Sequence, residues 1–292
     1  MGLQLPKRAC RIGAWTAVSA SLLLLGACSS EDQAQIKRLA MPEPATDRAV
    51  MIQDLWEGAW LAALLTGALV WGLILYASFR FRRRHDDEIP VQTRYNLPIE
   101  ILYTVAPVIM VLVMFFFTVQ TQNDVLATAA DTGEKPDHIV EVVGQQWSWS
   151  FNYMNEEGVD GDDVYTVGTT AEPPTLVLPV DETVRINLNS PDVVHSFWIP
   201  SFLMKMDVMP GLHNGFEFTP TREGTYAGRC AELCGVYHSR MLFELEVVSA
   251  EEFDQRLQAL KDEGNVGTVL GGVDARKQAG LDDDTAENGA GE

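Results

Sequence analysis

A two-helix transmembrane hairpin followed by an all-β outer domain is the architecture this 292-residue chain predicts. Residues 58–79 and 101–123 are apolar and free of charged side chains, and each exceeds the roughly 20 residues a helix needs to cross a hydrocarbon core. From about residue 137 the pattern changes to short apolar or alternating runs separated by Gly, Pro, Asp and Asn, as expected of an antiparallel sandwich or barrel. Metal-binding chemistry concentrates in that second part, where Cys230, Cys234, His238 and Met241 fall in a single short run.

The elements follow in order. Lys7, Arg8 and Arg11 precede a mostly apolar stretch over residues 12–25, which has the length of a signal-peptide core and is too short to span. Leu25, Gly26 and Ala27 before Cys28 resemble a bacterial lipobox. This predicts a signal peptide over residues 1–27 and a lipidated Cys28 held in membrane lipid on the outer face. The alternative is ordinary cleavage near Ala27 with Cys28 a free thiol, a liability outside the cell. Residues 28–54 are polar, contain Pro42 and Pro44, and read as an outer-face tether.

The hairpin is expected over residues 55–123, with spans at 57–79 and 99–121 and a connecting loop at 80–98. Trp56, Trp60 and Tyr103 sit near the span ends, where aromatic belts form. Arg80, Arg82, Arg83, Arg84 and Arg94 lie at or in the loop, which the positive-inside rule makes cytoplasmic. Both ends of the hairpin then lie outside, in agreement with an outer-face lipid anchor.

The β domain is expected over residues 137–249, with strands near 139–143, 148–153, 175–178, 183–188, 194–199, 215–218, 224–229 and 242–248. Ser249 reads as the N-cap of a terminal helix over 250–262, with Glu251 and Glu252 in its first turn. Residues 263–292 are rich in Gly and Asp and read as an acidic disordered tail. The segment 155–170 carries Glu156, Glu157, Asp160, Asp162 and Asp163, and reads equally as a docking surface or a solvated loop.

Charge narrows the function. The whole chain has 41 acids against 21 bases. Beyond residue 120 the sequence holds 31 acids and 10 bases. Such a field repels nucleic acid and steers positively charged partners toward the surface. No internal repeat or phosphate-binding glycine loop is present.

Of the four cysteines, Cys10 lies in the leader and Cys28 at its end, leaving Cys230 and Cys234 for the folded part. One pair is not a disulfide scaffold. Thiolate, imidazole and thioether together suit a soft redox metal such as copper, and His195 upstream supplies a second imidazole. A Cys230–Cys234 disulfide and a Cys2His2 zinc site are the competing readings. A single-copper carrier uses one Cys; two coppers bridged by two thiolates account better for the full set.

Taken in order, the hairpin, the run Asp192-Val193-Val194-His195-Ser196-Phe197-Trp198 and the Cys-to-Met run resemble subunit II of cytochrome c oxidase, over roughly residues 50–250. The resemblance implies a cupredoxin-like Greek-key barrel holding a dinuclear copper centre, CuA. It implies that Cys230 and Cys234 bridge the coppers, that His195 and His238 each ligate one, and that Met241 is an axial ligand. The backbone carbonyl of Glu232 would be the remaining ligand, its side chain helping to hold a magnesium ion shared with subunit I. Trp147, within the run Gly144–Trp149, would be the electron-entry residue. Gln145 stands where the family often has His, Ser148 where an aromatic residue is common, and Leu212 where many relatives carry Arg. Glu100 matches an acid at the entrance of a proton pathway.

The implied function is the electron-entry subunit of a bacterial cell-membrane oxidase, with its copper domain on the outer face. The donor would be cytochrome c or a c-type haem domain of a cytochrome bc complex. The haems and CuB belong to subunit I, which with subunit III completes the core; this chain alone would not reduce oxygen. A quinol-oxidase subunit II, which lacks the copper ligands, and a membrane-tethered copper carrier are the alternatives.

Overall fold

The computed structural model describes residues 29–271 except 86 and 90. The expected signal peptide and Cys28 lie outside the described residues, as does the chain from 272 on. The chain divides into two compact units, Met1–Glu43 and Pro44–Glu292. In the first, helix α1 (Ser30–Lys37) is started by a capping box. Ser29 Oγ accepts the Asp32 N–H at 3.1 Å, and the Asp32 carboxylate accepts the Ser29 N–H at 2.9 Å.

The second unit opens on the hairpin, helices α2 (Asp47–Arg80) and α3 (Leu97–Leu126). Their apolar windows have mean hydropathy 1.9 and 2.4 with none of either window buried. Side chains such as Leu65, Trp71, Phe79, Leu102 and Phe116 are exposed, as a lipid environment requires. Both helices outrun the expected spans. At 34 residues, α2 is roughly 50 Å long, well beyond a ~30 Å hydrocarbon core.

The extra turns of α2 begin at Asp47, so the last part of the segment read as a tether over residues 28–54 is helical. Thr46 caps α2 by accepting the Ala49 N–H at 3.0 Å. The Ala45 N–H donates to the Ser201 carbonyl at 2.9 Å, and the Thr219 N–H donates to Asp47 Oδ1 at 2.8 Å. Arg48 donates to the carbonyls of Asp124 and Ala127, at the end of α3. The top of the hairpin is thus clamped to the β domain. After the one-turn helix α4 (Ala129–Thr132), the chain enters that domain directly.

Among the described residues, ten strands form two five-stranded sheets: β1 (His138–Gln145), β2 (Ser148–Tyr153), β3 (Val164–Val167), β4 (Thr175–Pro179), β5 (Val184–Asn189), β6 (His195–Ile199), β7 (Met204–Val208), β8 (Asn214–Phe218), β9 (Gly224–Cys230) and β10 (Leu242–Val248). One sheet has the order β3-β2-β1-β5-β8, the other β4-β10-β9-β6-β7. β1–β5 and β4–β10 pair in parallel, and the remaining pairs are antiparallel. Two facing sheets with crossed-over strand order are the cupredoxin-like arrangement.

Alternation along the strands builds the core. Val140 and Val142 of β1 and Trp149, Phe151 and Tyr153 of β2 turn inward with Phe197, Phe243 and Leu245. Trp149 meets Phe197 and Phe243 edge-on at 5.7 and 5.5 Å, a favoured aromatic geometry. Helix α5 (Ala250–Asp262), capped by Ser249, buries Phe253 and Leu257 against one end.

Two strands were hidden from pattern reading. β3 is a short edge strand inside the acidic segment, and β7 is an edge strand interrupted by Lys205 and Asp207; charges are tolerated on such edges. The expected disordered tail is also corrected in its first part. The Tyr165 N–H donates to the Asn265 carbonyl at 3.1 Å and the Gly267 N–H to the Asp163 carbonyl at 2.8 Å. Asn152 then holds Val269 from both sides, at 3.1 and 2.6 Å. Residues 265–271 form an ordered strap across the outer face of β2 and β1.

Candidate metal centre

Three chain segments meet at the end of the sandwich where β1 turns into β2. β6 begins at His195 and β9 ends at Cys230, with Phe197 and Cys230 in register. The loop from β9 to β10 carries Cys234 and His238 before Met241, whose carbonyl accepts the Cys230 N–H at 3.0 Å. That bond closes the loop, so residues 230 and 241 become neighbours across its base.

The donors face one another. Cys230 Sγ lies 3.8 Å from Cys234 Sγ, 3.9 Å from His195 Nδ1 and 3.2 Å from the Glu232 carbonyl oxygen. Cys234 Sγ lies 3.5 Å from His238 Nδ1 and 3.7 Å from Met241 Sδ. His195 and Met241 are fully buried, and the two cysteines nearly so. Both thiols are free, and a 3.8 Å separation is far beyond the ~2.05 Å of a disulfide. The donor atoms of His195, Cys230 and Cys234 all lie within 4.8 Å of one another, a group able to hold a metal ion.

Electrostatics prepares these donors. Asp192 Oδ1 lies 2.9 Å from His195 Nε2, so the carboxylate orients the ring with Nδ1 toward the thiols. Burial works against the His195 imidazolium, but the contacts with Asp192 and Cys230 outweigh it and raise its pKa. Asp192 is itself lowered: burial opposes its charge, while His195 and the backbone N–H groups of Gln146 and Val193 favour it. The contact with Cys234, opposed by burial and aided by His195, lowers the Cys230 pKa. The same contact pushes Cys234 up. Ligation would need both thiols deprotonated, and a bound metal would displace their protons.

Trp147 stands at the rim of this cluster. Its Nε1–H donates to the Cys234 carbonyl at 3.2 Å, and Gln146 Nε2 donates to the same oxygen at 2.7 Å. The Trp147 ring meets Tyr237 edge-on at 5.1 Å. Gly235 has φ +129, and a Cβ there would come within 2.9 Å of the Trp147 ring; only glycine permits both the backbone and the approach. The Glu232 side chain is exposed, whereas its carbonyl belongs to the donor set. Glu100 lies away from the cluster, in the first turn of α3, where its carboxylate accepts the Asn96 N–H at 2.9 Å. Asp192 is the site residue that sequence reading named only as part of a motif. Its three-residue spacing from His195 across the turn into β6 was the available signal.

Two family models match the chain: cytochrome c oxidase subunit II, transmembrane domain, over residues 34–121, and cytochrome c oxidase subunit II, periplasmic domain, over residues 138–248. The chain is 47% identical to the probable cytochrome c oxidase subunit 2 of Streptomyces avermitilis, across 92% of this chain and 93% of that one. It is 46% identical to the corresponding Streptomyces coelicolor protein, with the same two coverages. Among solved structures it is similar to the periplasmic domain of subunit II of cytochrome oxidase from Bradyrhizobium japonicum, at 29% identity and TM-score 0.39, over 44% of this chain and 96% of that one. With the paired thiols placed beside an imidazole at the end of an outer β domain, and with relatives matched over nearly their whole length, the chain belongs to the cytochrome c oxidase subunit II family.

Proposed function

We propose that His195, Cys230, Cys234, His238 and Met241, with the Glu232 carbonyl, hold a dinuclear copper centre, and that this chain admits electrons from a c-type cytochrome to subunit I. The observation that carries the reading is the buried thiol pair, flanked by two imidazole nitrogens, a thioether and a carbonyl oxygen at 3.2–3.9 Å. This donor set is soft. Its side-chain donors are thiols, imidazoles and a thioether, with no carboxylate among them.

Copper held by these thiols and imidazoles would supply one-electron redox chemistry. The protein's own residues supply the rest. Asp192 fixes the His195 ring, and the β6–β9 register fixes Cys230 against it. Trp149 and Phe197 wall the inner side against water, Trp149 through its 3.4 Å bond to the Met241 carbonyl. Trp147 offers a half-buried π-surface whose Nε1–H donates to the Cys234 carbonyl, a short route from donor to centre.

Finer assignments follow from the same reading. The exposed Glu232 carboxylate joins a magnesium site shared with subunit I. Glu100, besides capping α3, lies at a proton-pathway entrance. Cys28 carries a lipid anchor, which intact-mass analysis of the membrane-extracted chain checks.

Electron paramagnetic resonance of the copper-loaded chain tests the centre. The expected result is a hyperfine pattern from one unpaired electron shared by two copper nuclei. A pattern from a single nucleus, or stoichiometric zinc in its place, overturns it.

A further inference from the structure

Two glycines of the strap, Gly267 and Gly271, take positive φ at +102 and +79. A Cβ added at Gly267 would meet nothing within 4 Å. One at Gly271 would lie 2.7 Å from Gln145 Oε1, 2.8 Å from Pro191 Cγ and 3.1 Å from Val143 Cγ1. The tight fit is therefore at the end of the strap. That end is reached through two anchors. Val266 bridges Val164 of β3. The Asn152 side chain then donates to the Val269 carbonyl at 3.1 Å and accepts the Val269 N–H at 2.6 Å. In this way the strap climbs from the β3 edge to the rim of the metal centre. Asn152, Val143 and Gln145 lie on the outer face of the sheet, yet all three are buried.

Gly271 stops where two turns come together. Gln145 ends β1 just before Gln146 and Trp147, and Pro191 lies in the β5–β6 turn just before Asp192. The Gln146 N–H also joins these turns, donating to Asp192 Oδ2 at 2.8 Å. Asp192 Oδ1 holds the His195 ring. The β5–β6 turn has little slack. Ser190 Oγ donates to the Val193 carbonyl at 2.6 Å, and the Val193 N–H donates to Asp192 Oδ1 at 2.6 Å. The Gln145 carboxamide ends a flexible side chain and can give way to a new neighbour. The Pro191 ring is closed onto its own backbone and cannot. A displacement of Pro191 passes to Asp192, and through Asp192 to His195.

We propose that residues 269–271 are a positioning element for the metal centre, bracing the β5–β6 turn against the β1–β2 turn. The brace fixes Asp192 on His195 and Gln146 beside Trp147. The proposal rests on the reading that this centre holds copper, and adds to it a support arriving from beyond the terminal helix. Metal ligands keep their geometry only when the groups behind them are held as well. A strap that only covered the sheet would stabilise the domain without reaching the centre, so the two roles differ in what a disturbed end changes.

The test compares G271A with G267A. Each adds one methyl group at a positive φ, so backbone strain is common to both. Amide hydrogen exchange is followed on the copper-free full chain, and chelator competition on the assembled, copper-loaded oxidase. G271A is expected to speed exchange at the Gln146 and Val193 amides several-fold. It should also lower copper affinity about tenfold and change the paramagnetic spectrum of the copper. G267A should match wild type in all three. Equal exchange at those two amides in G271A and G267A overturns the proposal. Faster exchange throughout the strands of G271A also overturns it, since lost cover would then be responsible. Should G271A fail to assemble, N152S, which frees Val269, decides in its place. Faster exchange at Gln146 and Val193 with β9 and β10 unchanged supports the brace, and unchanged exchange there overturns it. A wild-type oxidase without the two-copper signal overturns the copper reading, and this proposal with it.

Discussion

The two ends of the sandwich each set an imidazole against acid, and they hold it differently. At the rim, His195 presents Nε2 to Asp192 at 2.9 Å and leaves Nδ1 toward Cys230 at 3.9 Å. At the far end, His138 gives Nδ1 to Glu156 at 2.7 Å and Nε2 to Glu182 at 2.6 Å, its ring edge-on to Phe253 of α5 at 4.9 Å. Both ring nitrogens of His138 are taken by carboxylates, so it is a charged cross-link. His195 is held by one nitrogen and aimed by it. The same side chain is a candidate ligand where one nitrogen faces soft donors, and a structural ion pair where neither does.

Substitutions graded by their effect on copper sharpen this contrast. Cys230→Ser removes the thiol that faces Cys234, His195 and the Glu232 carbonyl, and copper content and its optical and magnetic signals should be lost outright. Asp192→Asn keeps the shape of the turn but weakens the hold on His195; chelator competition should show copper affinity down by about 10–100-fold. Retention of wild-type affinity in that variant would break the claimed role of Asp192. Met241→Leu should leave copper bound, with affinity changed less than about tenfold, while redox titration shows a shifted potential, as expected of an axial thioether.

His138→Gln should leave copper affinity unchanged and act on stability instead. Burial opposes the His138 charge, but Glu156 and Glu182 outweigh it and raise its pKa to about 9 from 6.5. The stabilising form is the imidazolium. Its contribution is complete below about pH 6.5 and is lost as pH rises through about 9. A shift of that size corresponds to ~3 kcal/mol at most, reduced to about 2 kcal/mol because Glu182 is 37% exposed and solvent screens it. Thermal unfolding of the wild type should therefore fall across pH 6.5–9, and that of His138→Gln should be lower at pH 6 and nearly flat. Identical pH profiles would show that the far-end imidazole is not a charged cross-link.

Most of the fold was legible where residue chemistry is periodic. The hairpin stands out because lipid-facing helices are apolar on all sides. Eight of the strands announce themselves by alternation or by short apolar runs between turn residues. β3 and β7 do not, because edge strands carry charge and bury only part of one face. Residues 47–54 fell inside the expected tether over 28–54 because polarity alone does not distinguish a linker from helical turns above a membrane; Thr46, the cap of α2, was the available signal. The strap was invisible for a similar reason. Gly264, Gly267 and Gly271 suggest disorder in composition, yet here Asn152 and the β3 backbone supply their neighbours with hydrogen bonds.

By itself the sequence determined the membrane hairpin, the acidic outer surface and the chemical kinds of the candidate donors. Hydrophobicity, charge and ligand softness belong to residues wherever they are placed. Tertiary structure alone decided that His195 meets Cys230 across 35 positions of chain. It also decided that Asp192 takes one nitrogen of that ring while Glu156 and Glu182 take both of the other's, and that the strap climbs toward the rim. Those outcomes depend on strand register and crossover, which no local pattern encodes. They follow from burying two sheets against each other, and that packing sets which distant residues become neighbours.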